Sequence, residues 1–396
     1  MLLQLLGNII LLLSLLWLVR WLSLSGFVRV YGKGHKPLTF LGSRVDSLVY
    51  VPHFLLGLNS QINTIAAFTL NKVKFKPRRE ILQGADGGDF ALDWFEDERI
   101  TLTDSSPIVF LCHGINGGSG EPFVQHFALR ALREKHYRPV CYIYRGCAGA
   151  KITTPRTYNG GATEDIHIAM KEIAKRFPQA PIALVGFSMG GNQLAKYLGE
   201  FKSSHKQIVP PKHVVDHDSL PESVVCGVMT GCPFDYVVTS QTCIPEQNKQ
   251  IGMNCKTYFN KNEEMIKSHR FYETYKQIEH PTTDDFYHYI ASDVFGYPSL
   301  RDMYADTSAA LFVAGIDIPT LFITSGNDPV STQNAVPFRE ISHNEHTALL
   351  QTPSGGHLGQ FKALSTKKKF DEDLMFEYVE WYVAPEKRLS NKAGKV

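Results

Sequence analysis

Pro181-Ile182-Ala183-Leu184-Val185-Gly186-Phe187-Ser188-Met189-Gly190-Gly191-Asn192 carries the reading of the whole chain. Residues 182–186 form an apolar run that reads as a strand, and a helix-forming stretch follows to about residue 201. Between them lies Gly-x-Ser-x-Gly, with Ser188 at its centre. A strand running into a sharp turn and then a helix lifts such a serine above the carboxyl end of a sheet. The flanking glycines let strand and helix approach without Cβ clashes. The start of the helix offers its dipole and free N–H groups to an anionic tetrahedral intermediate. The competing reading is an ordinary glycine-rich strand-to-helix turn.

Outward from Ser188 the same alternation continues. Apolar runs at 108–112, 140–144, 224–230, 320–324 and 348–352 read as strands, and helical patterns lie at 122–135, 163–176 and 370–382. In the second of these, Ile166, Ala169, Met170 and Ile173 recur at helical spacing. Asp86-Gly87-Gly88-Asp89 is a turn signal, and residues 90–94 alternate like a strand. Strands alternating with helices predict an α/β fold, a mostly parallel sheet with helices on both faces. Residues 202–222 read as a polar surface loop. Residues 241–298, rich in Tyr, Phe and charge, interrupt the alternation as a helical insertion.

A serine nucleophile needs an imidazole within hydrogen-bond reach and a carboxylate to orient it. Asp328, in the turn Ser325-Gly326-Asn327-Asp328-Pro329, and His357, in Gly355-Gly356-His357-Leu358-Gly359, each follow a strand at the carboxyl edge. They come in the order Ser, acid, His. Asp235 is a topological alternative for the acid, whereas Asp317 precedes its strand. His343 and His346 lie at the far end of the last strand and read as solvated. The loop Cys112-His113-Gly114-Ile115-Asn116-Gly117-Gly118-Ser119 ends an early strand and points to an oxyanion hole made by the backbone N–H groups of Ile115 and Met189. His113 reads as a structural residue of that turn. No Lys-Ser/Thr follows the glycines, which excludes a P-loop.

Residues 1–19 are almost continuously apolar, with Trp17 and Trp21 near the end and Arg20 closing the run. About twenty such residues span a bilayer core. The expectation is an uncleaved N-terminal transmembrane helix over 1–24. A cleaved signal peptide with Ser23-Leu24-Ser25 as its site, and a buried core helix, remain alternatives. The expected location is a single-pass protein of the endoplasmic reticulum or another endomembrane; Arg20, Arg29, Lys33, Lys36 and Arg44 follow the span, so the positive-inside rule favours a catalytic domain in the cytosol. The expected division is anchor 1–24, linker or edge segment 25–77, catalytic domain 78–385 and polar tail 386–396.

The length of 396 residues suits one large domain plus a short appendage, and 43% hydrophobic with 20% charged residues is ordinary for a globular chain. A formal net charge of +2 argues neither for nor against nucleic acid, and the lack of a basic, aromatic-interleaved stripe points away from it. Seven cysteines, Cys112, Cys141, Cys147, Cys226, Cys232, Cys243 and Cys255, read as free thiols, three of them within strand-like runs. No Cys-x-x-Cys pair suggests zinc or redox chemistry. Neither a metal nor an organic cofactor is expected.

Several further pieces resemble the membrane-anchored α/β-hydrolase-domain proteins of types 1, 2 and 3 and the yeast medium-chain ester synthases. They are Asp86-Gly87-Gly88 with Leu92-Asp93-Trp94, His113-Gly114 with Gly117-Gly118-Ser119, Arg145-Gly146-Cys147, Thr163-Glu164-Asp165, Gly186 to Gly191, Gly296-Tyr297, Asp328-Pro329 and Gly355-Gly356-His357. The resemblance covers roughly residues 78–382. It implies the α/β-hydrolase fold, a triad on Ser188, Asp328 and His357, and lipid or acyl-ester substrates at a membrane bilayer. The leading expectation is a serine carboxylic-ester hydrolase: lipase, phospholipase or esterase. Acyl transfer to an alcohol through the same triad is one alternative, and a non-catalytic lipid- or steroid-binding module is another. Ile143 stands where the family often has Asn two residues before Arg-Gly. His288 and Asp293 have the His-x4-Asp spacing discussed for some relatives as an acyltransferase motif, and read here as chance placement.

Overall fold

The structure, a computed structural model, describes residues 2–384. The polar tail expected at 386–396 lies outside the described residues. The main sheet has nine strands: β1 (Arg29–Tyr31), β2 (Arg78–Gln83), β3 (Asp89–Trp94), β4 (Ile108–Cys112), β5 (Arg138–Ile143), β6 (Ile182–Phe187), β7 (Val224–Thr230), β8 (Thr320–Ser325) and β9 (Thr347–Thr352). Their order is β1-β9-β8-β7-β6-β4-β5-β3-β2. The six strands β4 to β9 run parallel, and β1, β2 and β3 join through antiparallel pairings, β1 with β9, β3 with β5 and β2 with β3. Every residue of β4, β6, β8 and β9 is buried. Continuous apolar runs such as 108–112 and 182–187 suit strands covered on both faces.

The covering helices form where the periodicity predicts them. In α4 (Glu164–Arg176), Ile166, Ala169, Met170 and Ile173 are buried against the sheet. Its first turn holds Glu164 and Asp165 and its last Lys175 and Arg176, which complements the helix dipole. Helix α3 (Pro122–Lys135) starts with proline and ends at His136, in the left-handed region at φ 55°. Helix α5 (Met189–Glu200) is buried along its length, and α9 (Phe370–Val383) closes the chain against β7. Between β7 and β8 the insertion is helical, as expected, and runs wider than residues 241–298. It opens with α6 (Tyr236–Thr242) and α7 (Pro245–Lys261) and ends with α8 (Leu300–Thr307).

The segment 25–77, expected as a linker or edge, supplies β1, which pairs with β9 through Val30↔Leu350. It also supplies α2 (Ser60–Thr69), whose cap Asn59 accepts the N–H groups of Gln61 and Ile62. Helix α1 (Leu2–Ser23) projects from this edge with none of its apolar span buried, so it is not a core helix. Its last turns touch the domain where Trp17 meets Phe54 and the Trp21 indole N–H donates to the Pro52 carbonyl at 3.0 Å. The seven cysteines are unpaired, and all but half-buried Cys243 are buried.

Candidate active site

Four parallel strands end at the same edge of the sheet, and the loops after β4, β6, β8 and β9 converge there. After β6, Ser188 has φ 55° and ψ −123°. A non-glycine residue held in such a sparsely populated region costs about 1–3 kcal/mol and persists only where its surroundings enforce it. Here the Ser188 N–H donates to Thr230 O at 2.9 Å, and its carbonyl accepts the N–H groups of Gly191 and Asn192. The crossing is tight. A Cβ on Gly190 would sit 2.3 Å from the Cys112 carbonyl oxygen, and one on Gly186 2.5 Å from the Gly191 Cα.

The structure brings Ser188, His357 and Asp328 into one hydrogen-bonded line. His357 Nε2 lies 2.8 Å from Ser188 Oγ, and His357 Nδ1 lies 2.8 Å from Asp328 Oδ2. All three residues are buried. The other Asp328 oxygen accepts the N–H groups of Val330 and Ser331, both at 2.8 Å, which fixes the carboxylate. An ionised carboxylate can only accept, so Nδ1–H donates to Asp328 and Nε2 is left to accept a hydrogen bond from the Ser188 hydroxyl.

The His357 loop is held from outside the sheet. Its backbone N–H donates to Thr64 Oγ1 at 2.8 Å, and that hydroxyl donates to Ser60 O at 2.7 Å. Phe68, one turn along α2, stacks on the His357 ring with centroids 6.4 Å apart. Asn327 Oδ1 accepts the Gly356 N–H at 3.0 Å. The glycines of this loop answer to α2. A Cβ on Gly356, at φ +61°, would lie 2.5 Å from Ser60 O, and one on Gly359 2.6 Å from Asn63 O.

On the β4 side, His113 is fully buried, and its Nδ1–H donates to the Gly114 carbonyl at 2.7 Å. Burial pushes its pKa down to about 4, so the ring stays neutral. It serves the turn, which carries Ile115 to the wall of a mostly apolar cavity shared with Ser188 and Met189. Met189 opens α5, so its N–H has no intrahelical acceptor. The cavity measures about 70 Å³ and is roofed by α6, α7 and Tyr287 of the insertion. A second cavity of about 340 Å³ lies across the Gly114-Ile115 turn, with Asn116, Asn254, Thr257 and Lys261 among its walls.

The remaining sequence candidates lie elsewhere. Asp235 caps α6, accepting the N–H groups of Val237 and Val238. Asp317 pairs with Lys202, His343 Nδ1 bonds Arg339 O, and His346 sits beside Lys36 and Glu345. His288 is exposed, and Asp293 accepts the Arg270 N–H. Two supports had no reading of their own in the sequence. Arg145 makes paired hydrogen bonds to Asp165 (2.7 and 2.7 Å) and to Asp86 (2.8 and 2.8 Å), clamping the loop after β5 to the β2–β3 turn and the first turn of α4. Asn192 donates to Gly160 O and Thr307 O and accepts the Ala309 N–H, tying α5 to the end of the insertion.

Residues 107–210 match the alpha/beta hydrolase fold family. The chain is 30% identical over 326 residues to the embryogenesis-associated protein EMB8 of Picea glauca, covering 78% of this chain and 66% of that protein. It is 28% identical over 319 residues to the phospholipase ABHD3 of Homo sapiens, covering 78% and 73% respectively. With the monoacylglycerol lipase of Saccharomyces cerevisiae it shares 27% identity over 295 residues, 70% of this chain and 60% of the yeast protein. With this sheet and these relatives, the chain is an α/β hydrolase of the ABHD type and a carboxylic-ester hydrolase of the esterase and lipase kind.

Proposed function

We propose that the chain is a membrane-anchored lipid esterase with Ser188 as nucleophile, His357 as general base and acid, and Asp328 as the group that orients His357. The unbroken line Asp328–His357–Ser188, with both contacts at 2.8 Å, carries this reading. His357 Nε2 takes the proton from Ser188 Oγ as it attacks the ester carbonyl. The tetrahedral oxyanion is met by the N–H groups of Met189 and Ile115, aided by the α5 dipole. The imidazolium, stabilised by Asp328, then gives its proton to the leaving alcohol. Water repeats the sequence on the acyl-enzyme and releases the acid.

In this reading residues 1–24 are the anchor, 25–77 the edge segment, 78–385 the catalytic domain and 386–396 the polar tail. Helix α1 has 22 residues and an exposed apolar surface. At 1.5 Å per residue it is about 33 Å long, a match for a bilayer core of about 30 Å. The relatives named for phospholipids and monoacylglycerols support an acyl ester of a membrane lipid as substrate. The test is a fluorophosphonate probe on the full-length chain. Labelling is expected in the wild type and absent in Ser188→Ala, and labelling that persists in the mutant removes the assignment. Product analysis on phospholipid and monoacylglycerol vesicles, with an alcohol added, should give free fatty acid. An ester of the added alcohol as main product moves the reading to acyl transfer.

A further inference from the structure

Helix α2 presents two different faces. Asn63, Thr64, Ala66 and Ala67 are buried, with Thr64 on the His357 backbone. Ile62 and Ile65, on the opposite face, are 53% and 56% exposed. The exposed apolar surface continues on both sides, through Phe54 and Leu55 before the helix and Leu70 after it. Leu364, at the tip of the hairpin 361–369 and 90% exposed, joins the same surface, because the Phe54 N–H donates to Ala363 O at 2.8 Å.

This surface continues directly into α1. Phe54 packs on Trp17 with ring centroids 3.6 Å apart, and Trp21 bonds the Pro52 carbonyl. Charge follows the apolar surface on its other flank. No Asp or Glu occurs between Asp46 and Glu80, or between Glu345 and Asp371. Lys72, Lys74 and Lys76 are exposed along the first stretch and Lys367 and Lys368 along the second. Asn71 Nδ2 donates to Thr366 O, which draws the two lysine groups together. Among the described residues none of these five lysines has an ion-pair partner. In a chain of net charge +2 this is a local concentration of positive charge, with Glu121 an acidic neighbour of Lys72.

We infer that the outer face of α2, with Phe54, Leu55 and Leu364, is a second membrane contact that lies in the headgroup layer of an anionic bilayer and seats the Ser188 site on its surface. An apolar face flanked by lysines binds such an interface through buried area plus attraction to anionic lipid. Aromatic residues such as Trp17, Trp21 and Phe54 suit that depth. The contact has a functional consequence, because the inner face of the same helix supports His357, and Phe68 also lines the 340 Å³ cavity beside Gly114. Phe68 thus links the lipid-facing helix to both His357 and the cavity beside Gly114. The inference rests on the membrane reading proposed above, and adds to it where the domain touches lipid.

The test places an environment-sensitive fluorophore at Ile65→Cys in the full-length chain, reconstituted in phosphatidylcholine vesicles with about 30% phosphatidylserine. Ile208→Cys, at a comparably exposed site outside the patch, is the reference. The expected result is a blue-shifted Ile65 label that spin-labelled lipid quenches, while the Ile208 label stays aqueous. A label equally aqueous at both sites overturns the inference. So does a dry label that lipid does not quench, because protein, such as a second copy of the chain, then covers the face. Alkaline carbonate separates the two readings: a chain extracted by carbonate whose Ile65 label is lipid-quenched at neutral pH loses the α1 anchor and keeps the α2 contact. As a second arm, Ile62→Glu with Ile65→Glu should slow hydrolysis of a vesicle-embedded ester on the order of tenfold and leave a soluble short-chain ester unaffected. Equal rates on the vesicle ester would overturn the inference.

Discussion

Replacing Thr64 by valine keeps the shape of the side chain and removes one oxygen. That oxygen accepts the His357 N–H at 2.8 Å and donates to Ser60 O at 2.7 Å. Thr64 is buried, so valine leaves the His357 N–H without a partner whenever the loop is closed. An unsatisfied buried donor costs about 1–3 kcal/mol. Opening the loop to water recovers that energy, so the penalty shifts the balance between closed and open forms. At 1.36 kcal/mol per tenfold, the shift is about 5- to 150-fold. The Asp328 bond, the Gly356–Asn327 bond and the Phe68 stack still favour the closed loop and absorb part of it. The expected result is a kcat about tenfold lower on a soluble short-chain ester, with KM little changed, because Thr64 touches the loop and not the substrate. Fluorophosphonate labelling should slow in parallel. Thr64→Ser, which keeps the hydroxyl, should retain most of the wild-type rate. A kcat for Thr64→Val within twofold of wild type refutes the reasoning. A Thr64→Ser variant as slow as Thr64→Val refutes it equally, since the hydroxyl would then not be the agent.

Arg145→Ala leaves Asp86 and Asp165 facing each other without their cation, and should destabilise the fold by about 3–5 kcal/mol, read as a fall in the thermal midpoint. Arg145→Lys should recover only part of this, since an ammonium cannot make two bidentate pairs. Burial alone would raise the Asp86 carboxyl, but its hydrogen bonds and ion pair with Arg145 hold it well below its ordinary 3.8. Its contribution is thus complete above that value and is lost as the pH falls below it. Arg145→Ala should flatten that acid limb of the stability profile. Burial pushes Glu372 up to about 7, with Asp371 and Asp373 adding to it and Lys369 and Arg130 opposing. Folding therefore favours protonated Glu372, and stability falls as the pH rises from its ordinary 4.5 to about 7. Glu372→Gln should raise the thermal midpoint at pH about 8 and leave it unchanged at pH about 4; equal effects at both would show that the charge is not the cause. Gly190→Ala should abolish folding or probe labelling, because its Cβ meets the backbone at the end of β4, 2.3 Å from Cys112 O and 2.6 Å from His113 O. Gly120→Ala, with nothing within 4 Å, should label like the wild type.

The strands and helices around Ser188 were legible because each is decided locally. The run 182–187 is apolar throughout and buried on both sides, and α4 shows its buried stripe in its spacing. Chain order and strand ends were enough to select Asp328 over Asp317 and His357 over His343. The alternative Asp235 could not be set aside this way, because it also follows a strand. What separates them is position: Asp235 Oδ1 accepts two α6 N–H groups as a helix cap, whereas Asp328 Oδ2 lies 2.8 Å from His357 Nδ1. The first edge of the insertion was missed through the same cap: Asp235 starts a helix at Tyr236, five residues before the expected start at 241.

The support of His357 by α2 was illegible for a stronger reason. Thr64 and His357 are 293 residues apart, and nothing in the run 60–69 distinguishes a helix against the His357 loop from a short edge helix. One trace was present in the glycines around His357: Gly356 and Gly359 are small because Ser60 O and Asn63 O press against them. Glycine at a site of close approach and glycine at a hinge look alike in one sequence, but they predict opposite dynamics. A hinge would leave His357 mobile, whereas a loop pressed onto α2 moves only if α2 moves. If α2 also rests on the bilayer, its position is set by lipid on one face and by His357 on the other. Hydrogen exchange at the His357 and Gly356 amides, compared between detergent and anionic vesicles, reads that link. Slower exchange in vesicles is expected, and identical rates would mean that the loop is already as fixed as α2 can make it without the membrane.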